Sequence, residues 1–472
     1  MNQSRMPIVE ALEHFINKQP LSYHVPGHKN GLAMLDSFPS AMKRFLAYDL
    51  TELSGLDDLH SPEGCIMEAE ALLADLYRTK KSYLLINGST VGNLTMIMAA
   101  CEEGDTVFVQ RNCHKSILHA LQIAKLAPVF LEPEYDTYLQ AAGGVNLETV
   151  RMAYRQYPKA KALILTYPTY YGGAESIEDI IAEAKSHHSL VLVDEAHGPH
   201  FIAGGMMPAS SLTMGADVVV HSAHKVLPAM TMGSYLHVNS DRVSVSRLEF
   251  YLQALQSSSP SYPIMASLDM ARAYAASFTK EDQTKTLEAR GRTISLFKAK
   301  GLEVVSPRDP MKLIIRKTGY SGFELQQELE AAGIFTELAD PVQVLCTLPL
   351  LKAGEIEYMK AAEEKFADLS IPDKDHAENS HSMKVTHKKV STLSLTYQEQ
   401  SKCSKETISL KEAAGRIAAE MVIPYPPGIP LIMSGERLTE ETIGALEKLM
   451  DAGTHFHGGR LLDEKKITVF SV

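Results

Sequence analysis

Six short apolar runs, each closed by a polar turn or a helical pattern, dominate the stretch between Tyr83 and Val220. They cover residues 83–86, 106–109, 128–131, 163–166, 190–193 and 218–220. Continuous apolar strands alternating with helices indicate a mostly parallel sheet covered on both faces. Such a sheet binds its ligands beyond the carboxyl ends of its strands. The residues to examine are therefore those that close the runs. Asn87 closes the first, Asp194 the fifth, and His221 to Lys225 the sixth.

Helical spacing frames this region. Ile66, Ala69, Leu73 and Leu76 repeat after Gly64, and residues 91–101 predict a second helix that stops before Gly104. From 278 to 367 the pattern changes. Strand-like pieces at 302–305 and 313–316 precede a helix over 323–332, ended by Gly333, and a strand over 342–348. A polar stretch follows, with one short strand expected at 390–395. Ser409-Leu410-Lys411-Glu412 has the form of a capping box and predicts a helix continuing through Ile417 to Met421. Residues 425–430, Tyr-Pro-Pro-Gly-Ile-Pro, exclude helix. A last helix over 440–451 is capped by Thr439 and ends at Gly453. A chain of 472 residues needs more than one core. The expected division is an N-terminal arm and major domain over 1–277, a small α+β domain over 278–371, a linker over 372–405 and a C-terminal domain over 406–472.

An aspartate at one strand end and a lysine at a later one suit pyridoxal phosphate (PLP). The lysine amine forms a Schiff base with the aldehyde, and the aspartate keeps the pyridine nitrogen protonated. Asp194 and Lys225 stand in those places. Gly88-Ser89-Thr90 opens a helix after a strand, where free N–H groups and the helix dipole favour phosphate. Taken alone, that tripeptide reads first as an ordinary N-cap, and its coupling to Asp194 and Lys225 is what turns the reading to phosphate. His114 follows the second run, where its ring would stack on a flat cofactor, and His224 stands beside Lys225 as a proton donor or cofactor contact.

Other chemistries find less support. The histidine pairs 197/200, 221/224 and 455/457 show neither HExxH nor a zinc-ligand spacing, so no metal is expected. GxGxxG and GxSxG are absent. A net charge of −11 argues against nucleic-acid binding. No apolar run approaches the roughly 20 residues of a membrane helix. Five scattered cysteines without CxxC spacing, and an N-terminus without a long apolar core, lead us to expect a cytoplasmic protein with reduced thiols.

Several motifs in order now carry a family resemblance. They are Tyr-His-Val-Pro-Gly-His-Lys at 23–29, Thr-Glu-Leu-Ser-Gly-Leu-Asp-Asp-Leu-His at 51–60 and Asn-Gly-Ser-Thr-Val-Gly-Asn at 87–93. Residues 111–116, 168–172, 194–198, 222–225, 257–262 and 425–430 continue the series. Over nearly its whole length the chain resembles the PLP-dependent ornithine/lysine/arginine decarboxylases, and most of all their short bacterial branch. The resemblance implies an α/β protein of fold type I, the aspartate-aminotransferase fold. Its parts would be a mostly parallel large-domain sheet, a smaller α+β domain and a C-terminal decarboxylase domain.

The resemblance also implies roles. Lys225 matches the Schiff-base lysine, Asp194 the partner of the pyridine nitrogen and His114 the ring-stacking histidine. Ser89, Thr90, Ser222 and His224 match phosphate or Schiff-base contacts, and His197 joins the cofactor-binding set. Ser258 and Ser259 lie where a neighbouring subunit completes the phosphate site, implying a homodimer or a higher homo-oligomer. The substrate would be a basic amino acid, arginine ahead of lysine and ornithine, converted to its amine and CO2 in polyamine metabolism. Glu337, Asp340 and Glu436 are candidates for the distal cation. Asn30, Tyr167 and Ser434 depart from the usual pattern of Gly, Asn and Pro, and none removes the catalytic set. A fold type I aminotransferase or another PLP-dependent lyase would use the same Lys225 and Asp194, but an ordinary aminotransferase lacks the 425–430 module. A non-catalytic PLP-binding regulator is the other alternative. The intact lysine and aspartate, and the lack of a DNA-binding helix-turn-helix, count against it.

Overall fold

The computed structural model describes residues 1–354, 357–374, 388–425 and 429–471. The main strands are β1 (Lys81–Leu85), β2 (Thr106–Gln110), β3 (Ala127–Leu131), β4 (Ala162–Thr166), β5 (Leu190–Asp194), β6 (Val218–His221) and β7 (Ser234–Val238). The first six are the six apolar runs. The chain divides into two compact units, Met1–Ala100 with Leu192–Thr279 and Cys101–Val191 with Lys280–Val472.

In the first unit, β5 and β6 run parallel, with Leu192 opposite Val218 and Asp194 opposite Val220. β7 is antiparallel to both β6 and β1. Nothing in the spacing of apolar runs signalled this seventh strand. The link from β6 to β7 holds only a single 3-10 turn, Ala223–Lys225. With no α-helix in that link to cross the sheet, the chain doubles back.

Two helices pack on these strands: α1 (Cys65–Tyr77) and α2 (Gly88–Ala100). Gly64 at the start of α1 has no side chain to cap it. Asp57 does so from outside. Its Oδ2 accepts from the N–H groups of Gly64 (2.8 Å) and Ile66 (2.9 Å), and its Oδ1 from Glu63 (3.0 Å). α2 lies close on the sheet because residue 92 is glycine. A Cβ there would come within 2.8 Å of the Leu85 and Val220 side chains.

Glu70 on α1 is buried against β1, and its Oε1 accepts from Leu84 N–H at 3.1 Å. Burial pushes its carboxyl up to about 8, with the Leu84 hydrogen bond and Lys81 opposing. An acid with a raised folded pKa costs nothing below its unfolded pKa. It lowers stability progressively as pH rises from there to about 8. Glu70→Gln keeps the acceptor and removes the proton uptake. The variant is expected to melt a few degrees above wild type at about pH 8, with little difference near pH 4. Melting curves at the two pH values test this, and a gap independent of pH would refute it.

In the second unit, β2 lies parallel to both β3 and β4. The short strand expected in the polar stretch is Val390–Thr392, antiparallel on β3. The smaller α+β part carries an antiparallel sheet of Glu303–Val305, Lys312–Arg316, Val344–Thr347 and Leu338–Ala339. Its sheet packs with the helix Gly322–Ala331, which opens on a complete capping box of Ser321 and Glu324.

Towards the C-terminus one expectation fails. Ser409 caps only a 3-10 turn, Leu410–Glu412, through Lys411 N–H, and no helix reaches Met421. Gly415 takes a φ of +81°, and Ile417 and Ala418 bridge to Arg437 and Val469 as extended chain. The chain then enters the strand Val422–Tyr425, paired with His455–Gly458. The helix Glu440–Asp451 forms as expected, with Thr439 Oγ1 accepting from Thr442 N–H. Pro426, Pro427 and Gly428 of the 425–430 motif lie outside the described residues, as do residues 375–387 of the expected linker. Among the described residues no helix is long and apolar enough to cross a membrane.

Candidate active site

Asp194 and His221 end adjacent parallel strands, so the segments after them leave the sheet side by side. Glu195 N–H bonds to Val220 O at 2.9 Å, and Ser222 N–H to Ala196 O at 3.2 Å. Asp194 is only 3% exposed. Its Oδ2 accepts from Asn93 Nδ2 at 2.8 Å and its Oδ1 from Ala196 N–H at 3.2 Å. Both donors are neutral. An ionised carboxylate has about four lone-pair sites, so acceptor capacity remains for a cationic N–H.

Lys225 ends the 3-10 turn, and its Nζ lies 2.9 Å from Nε2 of the buried His197. Ser222 Oγ donates to Ser89 Oγ at 2.7 Å, tying the end of β6 to the first turn of α2. Gly88 opens that turn at a φ of +77° with nothing within 4 Å of a Cβ position. Hydroxyls gathered at a helix N-terminus beside an open glycine suit a phosphate. The residues present therefore fit PLP on three counts: a carboxylate held by neutral donors, an amine, and a hydroxyl-rich helix start.

The other expected residues of this unit stand apart from those contacts. Thr90 is exposed. His224 Nδ1 lies 3.1 Å from Gly233 O, so that nitrogen carries the proton. Ser258 and Ser259 occupy an exposed loop between the helices Val245–Leu255 and Tyr262–Ala276. The loop reaches the start of α2 through Ser257 N–H on Asn87 Oδ1 at 3.4 Å.

The second unit holds the remaining candidates. His114 is the N-cap of α3 (Lys115–Ile123), its Nδ1 accepting from Ser116 N–H at 3.3 Å, and its ring is exposed. The buried Arg111 guanidinium makes a two-pronged ion pair with Glu436, with Nη2 to Oε2 at 2.9 Å. Burial alone would lower the Arg111 pKa, but the hydrogen bond and charge of Glu436 raise it. Glu436 also accepts from Met433 N–H at 3.0 Å. Asp340 accepts from the Tyr171 hydroxyl and from the N–H groups of Val342 (2.7 Å) and Gln343 (2.9 Å). Glu436 and Asp340 are thus committed to partners in their own chain. Glu337 stays exposed and accepts from Tyr170 Oη at 2.8 Å.

Sequence reasoning missed the role of Asn93 as the amide that holds Asp194. The available signal was an amide side chain among the buried, mostly apolar positions of that helix.

Comparison with known proteins adds an independent line. Residues 6–308 match the family model described as Orn/Lys/Arg decarboxylase, major domain. Residues 376–459 match Orn/Lys/Arg decarboxylase, C-terminal domain. A Bacillus subtilis protein named uncharacterized protein YaaO is 46% identical over 476 residues, 98% of each chain. A B. subtilis arginine decarboxylase is 34% identical, covering 97% of this chain and 96% of that one. Among solved structures, the Escherichia coli constitutive lysine decarboxylase aligns with a TM-score of 0.77 at 20% identity. That match covers 99% of this chain and 82% of the other, and it shows a shared α/β fold.

Proposed function

Because the chain belongs to the Orn/Lys/Arg decarboxylase family, we propose that it removes the α-carboxylate of a basic amino acid with PLP as cofactor. Arginine is the favoured substrate, ahead of lysine and ornithine. The observation that carries this reading is the arrangement at the ends of β5 and β6. There Asn93 holds Asp194, and His197 holds the amine of Lys225. The 34% identity to a protein named arginine decarboxylase supports the order of substrates.

When bound, PLP would supply an electron sink for decarboxylation at the α-carbon. The rest belongs to the chain. Asp194 holds the proton on the ring nitrogen, and its negative charge makes that ring a better electron acceptor. Asn93 keeps the carboxylate turned to its task. Ser89, Thr90 and Ser222, with the first N–H groups of α2, bind the phosphate. Lys225 would hold the cofactor and supply a proton to the α-carbon, with His224 beside it. His197 orients the Lys225 amine. In this reading Ser258 and Ser259 complete the phosphate site of a neighbouring copy, so the smallest active form is a homodimer. Of the carboxylates considered for the distal cation, Asp340 and Glu436 already hold partners within the chain. Glu337 is the exposed carboxylate of the original three.

A product assay tests the proposal. Purified protein with PLP is given arginine, lysine and ornithine at equal concentration, and amines are identified by mass. A dominant agmatine signal is expected, with cadaverine or putrescine well below it. Cadaverine or putrescine in excess would reassign the substrate. No amine from a protein that retains PLP would defeat the decarboxylase reading.

A further inference from the structure

A second carboxylate is buried directly behind Asp194. Glu195 is fully buried, and its Oε2 accepts from both the N–H (2.7 Å) and the hydroxyl of Ser211. Its Oε1 lies 3.2 Å from His221 Nε2. A chain of contacts continues through unexposed side chains. His221 Nδ1 is 3.1 Å from His237 Nε2, and His237 Nδ1 is 2.8 Å from Ser82 Oγ. Ser82 Oγ is in turn 2.8 Å from Thr79 Oγ1. On Oε2 Glu195 accepts twice, as a carboxylate does. His221 and His237 each bridge two partners through their two ring nitrogens. Burial, and then His221, hold His237 well below the ordinary histidine range, so it is neutral. The Tyr77 ring covers both imidazoles, with centroids 5.2 and 4.5 Å away. Among the described residues no lysine or arginine pairs with Glu195. Its salt-bridge partner is the imidazole of His221.

The chain roots both arms of the candidate site. Glu195 follows Asp194, and its carbonyl accepts from Gly198 N–H at 2.9 Å. Residue 198 must be small, because a Cβ there would lie 2.6 Å from the Glu195 side chain. The glutamate therefore fills the space beneath the turn that presents His197. At the other end of its bond, His221 immediately precedes Ser222 and the turn to Lys225. We propose that Glu195 is a positioning residue for the cofactor site. The hydrogen-bonded chain from Thr79 holds its carboxylate beneath the turn. There it braces the turn and raises the proton affinity of the cationic groups the site holds. The inference rests on PLP binding through Lys225. The charged and titratable groups facing Glu195 and its turn are Asp194, His197, Lys225, His221, His237 and Tyr77.

Glu195→Gln tests it, because the amide keeps the shape and the Ser211 contacts and removes the charge. The readout is the pH midpoint at which the visible band of the bound cofactor changes, with PLP affinity and the melting temperature of the apoprotein alongside. Removing a buried charge of this kind is expected to lower the midpoint by about one pH unit. Glu195→Asp, which keeps the charge, should bring it back towards wild type. His237→Asn breaks the chain one link away and should move the midpoint the same way by less. It also serves if Glu195→Gln does not fold. A purely structural glutamate would lower the melting temperature and leave the midpoint where it was. That result in Glu195→Gln, or in His237→Asn where Glu195→Gln does not fold, would overturn the inference. Wild-type protein that gives no visible band with PLP would overturn the cofactor reading, and this inference with it.

Discussion

Lys225→Ala is expected to lower amine formation by about 10³-fold or more, and to leave the apoprotein folded. The reason is chemical. In the proposed reaction one amine both holds the cofactor and returns a proton to the α-carbon, and no neighbouring side chain duplicates it. His197, 2.9 Å away, has a ring nitrogen that cannot form the same covalent link. The structural cost is small because Lys225 is only half-buried and lies on a single 3-10 turn beyond the carboxyl end of β6. Two measurements separate the effects. Steady-state turnover reports the chemistry, and borohydride reduction followed by mass spectrometry reports covalent attachment. Wild type should gain the mass of reduced PLP on the peptide containing Lys225, and the variant should not. Turnover within tenfold of wild type in the variant would remove Lys225 from the mechanism.

The parts of this molecule legible in its sequence are those whose cause is local. The six apolar runs became β1 to β6 because a strand buried on both faces has no choice but to be apolar throughout. The helix Glu440–Asp451 was legible from its Thr439 cap and its terminating Gly453. Ser409 gave the same kind of signal and misled. Its hydroxyl does bond the backbone, but two residues on, and Gly415 then turns the chain into strand pairings no local pattern announces. The long helix Lys280–Ala299 gave no apolar stripe, since its buried positions are Asp282, Thr286, Thr293 and Phe297.

The candidate site divides the same way. Asp194 and Lys225 were legible because each ends an apolar run. The partners that make them useful were not, because Asn93 reaches Asp194 across 101 positions of the chain. Glu436 looked like a carboxylate available to substrate, and its arginine is 325 residues away. A charge is readable from sequence, but whether it is already neutralised is a property of the fold.

Asp194→Asn is the second large effect expected, a fall in kcat of about 10²- to 10⁴-fold with a much smaller change in KM. The substitution alters almost nothing but charge. Asn has the same shape, its Oδ1 still accepts from Ala196 N–H, and Asn93 can rotate its amide to offer oxygen where it now offers Nδ2. What is lost is the negative charge that keeps the ring nitrogen protonated, and the ring without that proton is a poorer electron acceptor. The loss therefore falls on the bond-breaking step and leaves substrate binding largely intact. A control isolates the cause. Reconstituting Asp194→Asn with PLP methylated at the pyridine nitrogen restores a permanent positive charge without needing the carboxylate, and should recover part of the lost rate. Asn93→Ala leaves the charge and removes only its orienting partner, so its loss should be nearer tenfold. Should Asp194→Asn turn over within tenfold of wild type, or should the methylated cofactor recover nothing while binding normally, the aspartate would be acting through the shape of the β5 turn. The electrostatic account of the site would then fall.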